Sequence, residues 1–267
     1  MIKKIFCDLD GTLYRGGISS RDKKAIDDAK LSGIDFNIAT GRVYKHSINI
    51  LEEIGMEGYL ICENGSYIYS PDGTCVYKAN LSDDHIKRII NIYKSLDYID
   101  KDEDIIYFKY DGQVVMVKDG SSADYFTRGY EVDASFMDRD TYDDKVGNIG
   151  ILSPNKEKLN KLVDKYKENF MGILDVYLSS DTTINIVPSD VSKFHAINMI
   201  CKKENISQDE IVTIGDSAND ISMLKNVAMS FAMEDAEENV KLEAKFSAPS
   251  VADAIKMVID YNDEIGG

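Results

Sequence analysis

Asp8-Leu9-Asp10-Gly11-Thr12-Leu13 stands where a short apolar run, Ile5-Phe6-Cys7, ends, and that junction decides the reading of the fold. An aspartate at the carboxyl end of a central strand points into the crevice where open α/β sheets bind ligands. A second aspartate two residues on, followed by a glycine turn, sets two acidic groups side by side. Such a pair can hold a cation and divide nucleophile and acid/base duties. The layout recurs at Gly215-Asp216-Ser217-Ala218-Asn219-Asp220, after the apolar run Ile211-Val212-Thr213-Ile214. Two acidic strand ends so far apart in sequence predict one metal site assembled by the fold.

Outward from the first junction, strand and helix alternate. A helix is expected over about Ser20–Leu31, with Ser20 as its cap, then a strand Ile34–Ala39 ending at Thr40-Gly41-Arg42. A second helix to Ile54 and a strand Tyr59–Cys62, ending at Glu63-Asn64-Gly65, complete a repetition that implies a parallel sheet with helices on both faces. Tyr67–Tyr69 and Cys75–Tyr77, joined by Ser70-Pro71-Asp72-Gly73-Thr74, read as a β-hairpin. From about Leu81 to Ile186 the rhythm changes to two helices and short alternating strands, an inserted α+β segment with an antiparallel sheet. The α/β pattern then resumes to the end. The expected fold is therefore α/β: a Rossmann-like, doubly wound parallel-sheet core from residues 1–80 and 187–267, with an α+β cap at 81–186.

The formal net charge of −16 repels nucleic acid and anionic membranes, and no compact basic stretch offsets it. It repels phosphorylated small molecules too, so any phosphate site must be locally inverted by a metal or a lysine. No apolar run has the length of a membrane span, and Met1 leads straight into a strand, so a cytosolic protein is expected. The cysteines Cys7, Cys62, Cys75 and Cys201 lack metal-ligand spacing and read as reduced, buried thiols. The scattered histidines form no zinc cluster, and His195 reads as a pocket-lining or surface residue. The acidic run Asp97–Asp104 reads as a solvated loop.

In a parallel sheet the tips at Asp8/Asp10, Thr40, Asn64 and Asp216/Asn219/Asp220 open on one edge. Asp8, Asp10 and Asp216 supply oxygen ligands suited to Mg²⁺. Thr40 offers a hydroxyl, and Lys193 offers a positive charge beside a positive helix end. A carboxylate nucleophile, a metal, a hydroxyl and a lysine make a complete set for phosphoryl transfer through an aspartyl-phosphate. Arg42 reads as a structural ion-pair partner, and Asn64 as a residue that shapes a turn.

This ensemble resembles the haloacid dehalogenase-like superfamily, and within it the Cof-type phosphatases with an inserted α+β cap. Asp8-Leu9-Asp10-Gly11-Thr12-Leu13, Thr40-Gly41-Arg42, Lys193 and Gly215–Asp220 fit its four motifs in order. Phe194 and Asp190 depart from it, standing where the subgroup commonly has glycine, as does Ser66 where alanine is frequent. The resemblance implies a Mg²⁺-dependent phosphatase of a small phosphorylated metabolite, a sugar phosphate first, with flavin and pyridoxal phosphates open. It implies Asp8 as the nucleophile and Asp10 as the acid and base. The phosphoryl group would be held by Thr40, Gly41, Lys193 and Asn219, and the metal by Asp8, Asp10 (through its backbone carbonyl), Asp216 and Asp220. A mobile cap would exclude water and contact the substrate, which favours a monomer.

Two alternatives use the same residues. A phosphomutase would return the phosphoryl group to substrate, and a receiver-like signalling module would be phosphorylated on Asp8 without turnover. Asp10 and the cap argue against the receiver, which needs no leaving-group acid.

Overall fold

The computed structural model describes residues 1–119 and 129–266. The chain forms two compact units. The first comprises Met1–Arg42, Ile48–Tyr77 and Ser192–Gly267; the second comprises Val43–Ser47 and Lys78–Val191.

The first unit is built on an eight-stranded sheet. Its strands are β1 (Lys4–Cys7), β2 (Asp35–Ala39), β3 (Leu60–Cys62), β4 (Tyr67–Tyr69), β5 (Cys75–Lys78), β12 (Ile211–Gly215), β13 (Met229–Met233) and β14 (Phe246–Ala248). They lie in the order β14-β13-β12-β1-β2-β3-β4-β5. All neighbours from β14 to β3 run parallel, and β4 turns back antiparallel to β3. The registers Lys4↔Asp35 and Lys4↔Ile211 seat β1 between the strands that end at Thr40 and Asp216.

Side chains alternate across a strand, and β1 uses both faces. Phe6 joins Ala39, Ile61, Ala196, Ile197 and Ile200 in one apolar cluster; the last three come from helix α5 (Lys193–Glu204). Burying a side chain such as Phe6 is worth about 1.5–3 kcal/mol relative to leaving it in water. On the other side, helix α1 (Ser20–Leu31) packs with the final helix α8 (Val251–Gly266) and with β2. The cap of α1 is Ser19, whose Oγ accepts from Asp22 N, rather than Ser20. Asp22 is buried because it bonds two helix starts: it accepts from Ser19 Oγ and, 2.8 Å away, from Ala252 N.

The second unit carries a six-stranded sheet in the order β10-β11-β9-β6-β7-β8. Its strands are β6 (Ile105–Tyr110), β7 (Gln113–Met116), β8 (Glu131–Val132), β9 (Val146–Leu152), β10 (Leu174–Ser180) and β11 (Thr183–Pro188). All pairs are antiparallel except β7–β8. Helices α3 (Asp83–Ser95) and α4 (Lys156–Phe170) bury Ile86, Ile89, Ile90, Leu159, Leu162 and Tyr166 in a cluster shared with Phe108, Ile149, Ile151 and Ile184 of the sheet. Residues at the alternate positions are Tyr107, Lys109, Asn148 and Asn185, all buried. Asn148 is fully buried, and neither of its amide atoms has a hydrogen-bond partner among the described residues.

Three of the four cysteines are buried, as the composition suggests, but Cys75 is exposed on the hairpin strand β5. His195 lies at the surface beside Tyr77. Among the described residues no helix is long and apolar enough to cross a membrane.

Candidate active site

Asp8 is the residue after β1, and its backbone N donates to Ile214 O of β12 at 2.8 Å. The first acidic strand end is thereby fixed to the strand that carries the second. Leu9-Asp10-Gly11-Thr12-Leu13 folds into a tight loop in which Tyr14 N donates to Leu9 O and Gly11 N to Tyr14 O. Gly11 adopts φ +84°, and a Cβ there would sit 2.3 Å from Asp216 Oδ2. Only glycine combines that left-handed backbone with so close an approach. Thr12 Oγ1 then donates to Asp216 Oδ1 at 2.5 Å, a direct tie between the two acidic segments.

Lys193 opens α5, whose cap is Ser192. The turn before it passes through Asp190 at φ +65°, a left-handed position that glycine adopts freely and that asparagine and aspartate tolerate better than most other residues. Close packing brings α5 to the sheet edge: a Cβ on Gly65, at φ +113°, would meet Ser192 O at 2.3 Å. The ammonium of Lys193 is fully buried, with Nζ 2.5 Å from Asp8 Oδ1 and 2.6 Å from Asp220 Oδ1. Asp220 uses its other oxygen to accept from Asp216 N and Ser217 N at 2.9 and 3.0 Å. It is thus both a partner of the lysine and the brace of the second acidic loop.

Asp8, Asp216 and Asp220 each offer a carboxylate oxygen, and these oxygens lie within 4.8 Å of one another. Burial pushes the Asp8 carboxyl well above the ordinary carboxylate range; Lys193 opposes this, while Asp220 and Asp216 add to it. Burial also raises Asp216, against the hydrogen bond from Thr12. For Lys193, burial alone would lower the ammonium, but Asp220 and Asp8 outweigh it and hold it above its ordinary value. Three buried or half-buried carboxylates thus face one bridging ammonium, and a second positive charge would relieve the excess. An all-oxygen donor set of few carboxylates, with room for water or phosphate oxygens, suits Mg²⁺. The residues therefore fit the cation that the sequence implies.

Other expected site residues fall nearby in different roles. The Thr40 hydroxyl is buried and accepts from Arg42 N at 3.1 Å, which leaves its proton for donation elsewhere. Gly41 lies against Asn64, whose Oδ1 a Cβ would meet at 3.1 Å. Asn64, at φ +59°, shapes the turn after β3 and also accepts from Asn219 Nδ2 at 2.9 Å. The side chain of Asp10 is not part of the carboxylate cluster. Arg42 grips it, with Nε 2.8 Å from Oδ2 and Nη2 2.5 Å from Oδ1. Arg42 is thus an ion-pair partner, as its type suggests, but its partner is the expected acid and base. Thr12, which orients Asp216, carried no signal beyond its place in the first acidic loop.

The profile of the haloacid dehalogenase-like hydrolase family matches residues 5–259. Phosphatase YwpJ of Bacillus subtilis (strain 168) is 26% identical over 289 residues, spanning 99% of this chain and 97% of the relative. The 5-amino-6-(5-phospho-D-ribitylamino)uracil phosphatase YcsE of the same organism is 28% identical over 247 residues, 92% of this chain and 89% of the relative. A solved structure of a haloacid dehalogenase-like hydrolase from B. subtilis shares the fold, with a TM-score of 0.84 at 24% identity, over 96% of this chain and 99% of that one. The family match runs from β1 into α8 and takes in both acidic strand ends and Lys193, so the chain belongs to the haloacid dehalogenase-like hydrolases.

Proposed function

We propose that the chain is a Mg²⁺-dependent phosphatase that hydrolyses a small phosphorylated metabolite through an aspartyl-phosphate on Asp8. The observation that carries this reading is the buried Asp8–Lys193–Asp220 bridge set beside Asp216. It presents one carboxylate at a strand end, holds one of its oxygens still, and leaves Oδ2 without a hydrogen bond among the described residues. Asp8, Asp216, Asp220 and the backbone carbonyl of Asp10 would hold Mg²⁺, which when bound would supply positive charge to offset that of the phosphoryl group.

In this reading Asp8 attacks phosphorus as the bond from phosphorus to the leaving oxygen breaks, and the carboxyl proton of Asp10 passes to that oxygen. Thr40, Gly41, Lys193 and Asn219 hold the phosphoryl oxygens. Water then attacks phosphorus, Asp10 takes its proton, and the bond from phosphorus to Asp8 breaks. The products are an alcohol and inorganic phosphate, with both aspartates restored.

The proposed substrate class is a phosphate ester of a polyhydroxylated carbon chain, a sugar phosphate or a close relative. YcsE is named for a phosphorylated ribityl compound, which is consistent with that class. The unit at Lys78–Val191 is the proposed specificity cap, and the enzyme is proposed to work as a cytosolic monomer.

The test is phosphate release from a panel of phosphorylated metabolites by the purified chain with Mg²⁺. Turnover is expected, lost on chelation and in Asp8→Asn. Undiminished turnover in Asp8→Asn, or no release from any phosphate ester, would refute the proposal.

A further inference from the structure

We infer that Arg42 is a positioning residue for hydrolysis, acting through Asp10. The inference rests on the phosphatase reading above and concerns geometry that reading does not use. A single hydrogen bond would leave the Asp10 carboxylate free to pivot. The two bonds from Arg42, 2.8 Å to Oδ2 and 2.5 Å to Oδ1, fix its plane as well as its place.

The pair is unequal. The side chain of Arg42 is 5% exposed and that of Asp10 is 37% exposed, so the arginine is the buried, constructed member and the carboxylate is the one presented to solvent. Arg42 is itself held on several sides. Its guanidinium lies 4.9 Å from the centroid of the Tyr14 ring. Tyr14 is anchored by its backbone to Leu9 and Gly11, on either side of Asp10. The backbone N of Arg42 donates to Thr40 Oγ1, and its carbonyl accepts from Glu63 N at 2.9 Å. The ends of β1, β2 and β3 therefore all contribute to one carboxylate's orientation. Such construction exceeds what a half-exposed ion pair needs for stability, since exposed pairs of this kind contribute little.

Asp10 gives a proton to the leaving oxygen as its bond to phosphorus breaks, and later takes one from the attacking water. Both transfers need its oxygens within hydrogen-bond reach of the partner, and Arg42 sets that reach. Lysine cannot replace it fully, because an ammonium makes no fork.

The experiment compares wild type, Arg42→Gln, Arg42→Lys, Asp10→Asn and the Asp10→Asn/Arg42→Gln double variant on two esters. Dinitrophenol leaves phosphorus without a proton, whereas the alcohol of glycerol phosphate does not. Arg42→Gln is expected to lose on the order of 10²-fold in kcat/KM with glycerol phosphate, and about 3-fold or less with dinitrophenyl phosphate, for which the acid is idle. With the aryl ester kcat falls instead, because the water step still needs Asp10. Arg42→Lys falls between wild type and Arg42→Gln, and serves if Arg42→Gln does not fold. The double variant loses no more than Asp10→Asn alone. Equal losses in kcat/KM with both esters, or additive losses in the double variant, overturn the inference and leave the phosphatase reading standing. If wild type hydrolyses neither ester nor any other phosphomonoester, the phosphatase reading falls and the inference with it.

Discussion

Replacing Lys193 by methionine keeps the side chain's length and approximate volume while removing the ammonium between Asp8 and Asp220. Breaking a buried ion pair by removing one member costs about 3–5 kcal/mol, because the surviving charge stays buried without compensation; an exposed pair is worth about 0–1 kcal/mol. The side chains of Lys193 and Asp220 are fully buried and that of Asp8 is 5% exposed, so the upper range applies. In a chain of this size 1 kcal/mol moves the melting midpoint by about 2–4 °C, so Lys193→Met should lower the midpoint of the first unit by about 10 °C. Scanning calorimetry at neutral pH, without and with Mg²⁺, measures this. Mg²⁺ should narrow the gap, because in the proposed site it would neutralise the same carboxylates. Adding Asp220→Asn to Lys193→Met should recover at least about 1 kcal/mol, since contacting charges are not additive. A midpoint within about 2 °C of wild type, or simple addition of the two losses, would refute the claim that this bridge organises the site.

Gly11→Ala should weaken Mg²⁺ binding in titration calorimetry by about tenfold or more, about 1.4 kcal/mol, because its Cβ would displace the Asp216 carboxylate held by Thr12; unchanged affinity would remove Asp216 from the metal site. Asp8 and Asp216 are both raised above the ordinary carboxylate range, so over that window the folded chain holds protons that the unfolded chain has released. Metal-free stability should therefore fall as pH rises through the window, and stabilisation by Mg²⁺, which must displace those protons, should grow over it; a midpoint gain independent of pH would contradict this. In the second unit Asn148→Leu should stabilise by about 1–3 kcal/mol, the cost of burying an unpaired amide, and a lower midpoint would show that the amide has a partner.

The parts of the chain legible in sequence are those where one physical cause dominates. Ile5-Phe6-Cys7 and Ile211-Val212-Thr213-Ile214 are apolar but for Thr213, whose hydroxyl donates to Met223 O, because β1 and β12 are buried along their whole length, and the acidic loops follow them directly. The meeting of Asp8 and Asp216 was legible because strand ends in such a sheet share an edge, whereas Lys193, at the start of α5, was legible from its place beside a positive helix end. The edge strand β14 was not: Phe246-Ser247-Ala248 is short, half-exposed and without alternation. The strand β8 has only two residues. Ser19 and Ser20 are equally good caps by type, and only backbone geometry separates them. The contact between Asp10 and Arg42 depends on how the loop after β1 leans toward the end of β2, and residue spacing does not encode that angle.

The central place of β1 has a consequence for biosynthesis. Its hydrogen-bonding edges are claimed by β2 on one side and by β12 on the other, and β12 lies beyond the whole inserted unit. A ribosome therefore releases β1 and β2 long before β12 exists, and the nascent chain carries an unpaired apolar edge while Lys78–Val191 is being made. That segment is nearly contiguous and can complete its own sheet as it emerges. The parallel sheet, and with it every residue proposed for catalysis, becomes whole only in the last quarter of translation.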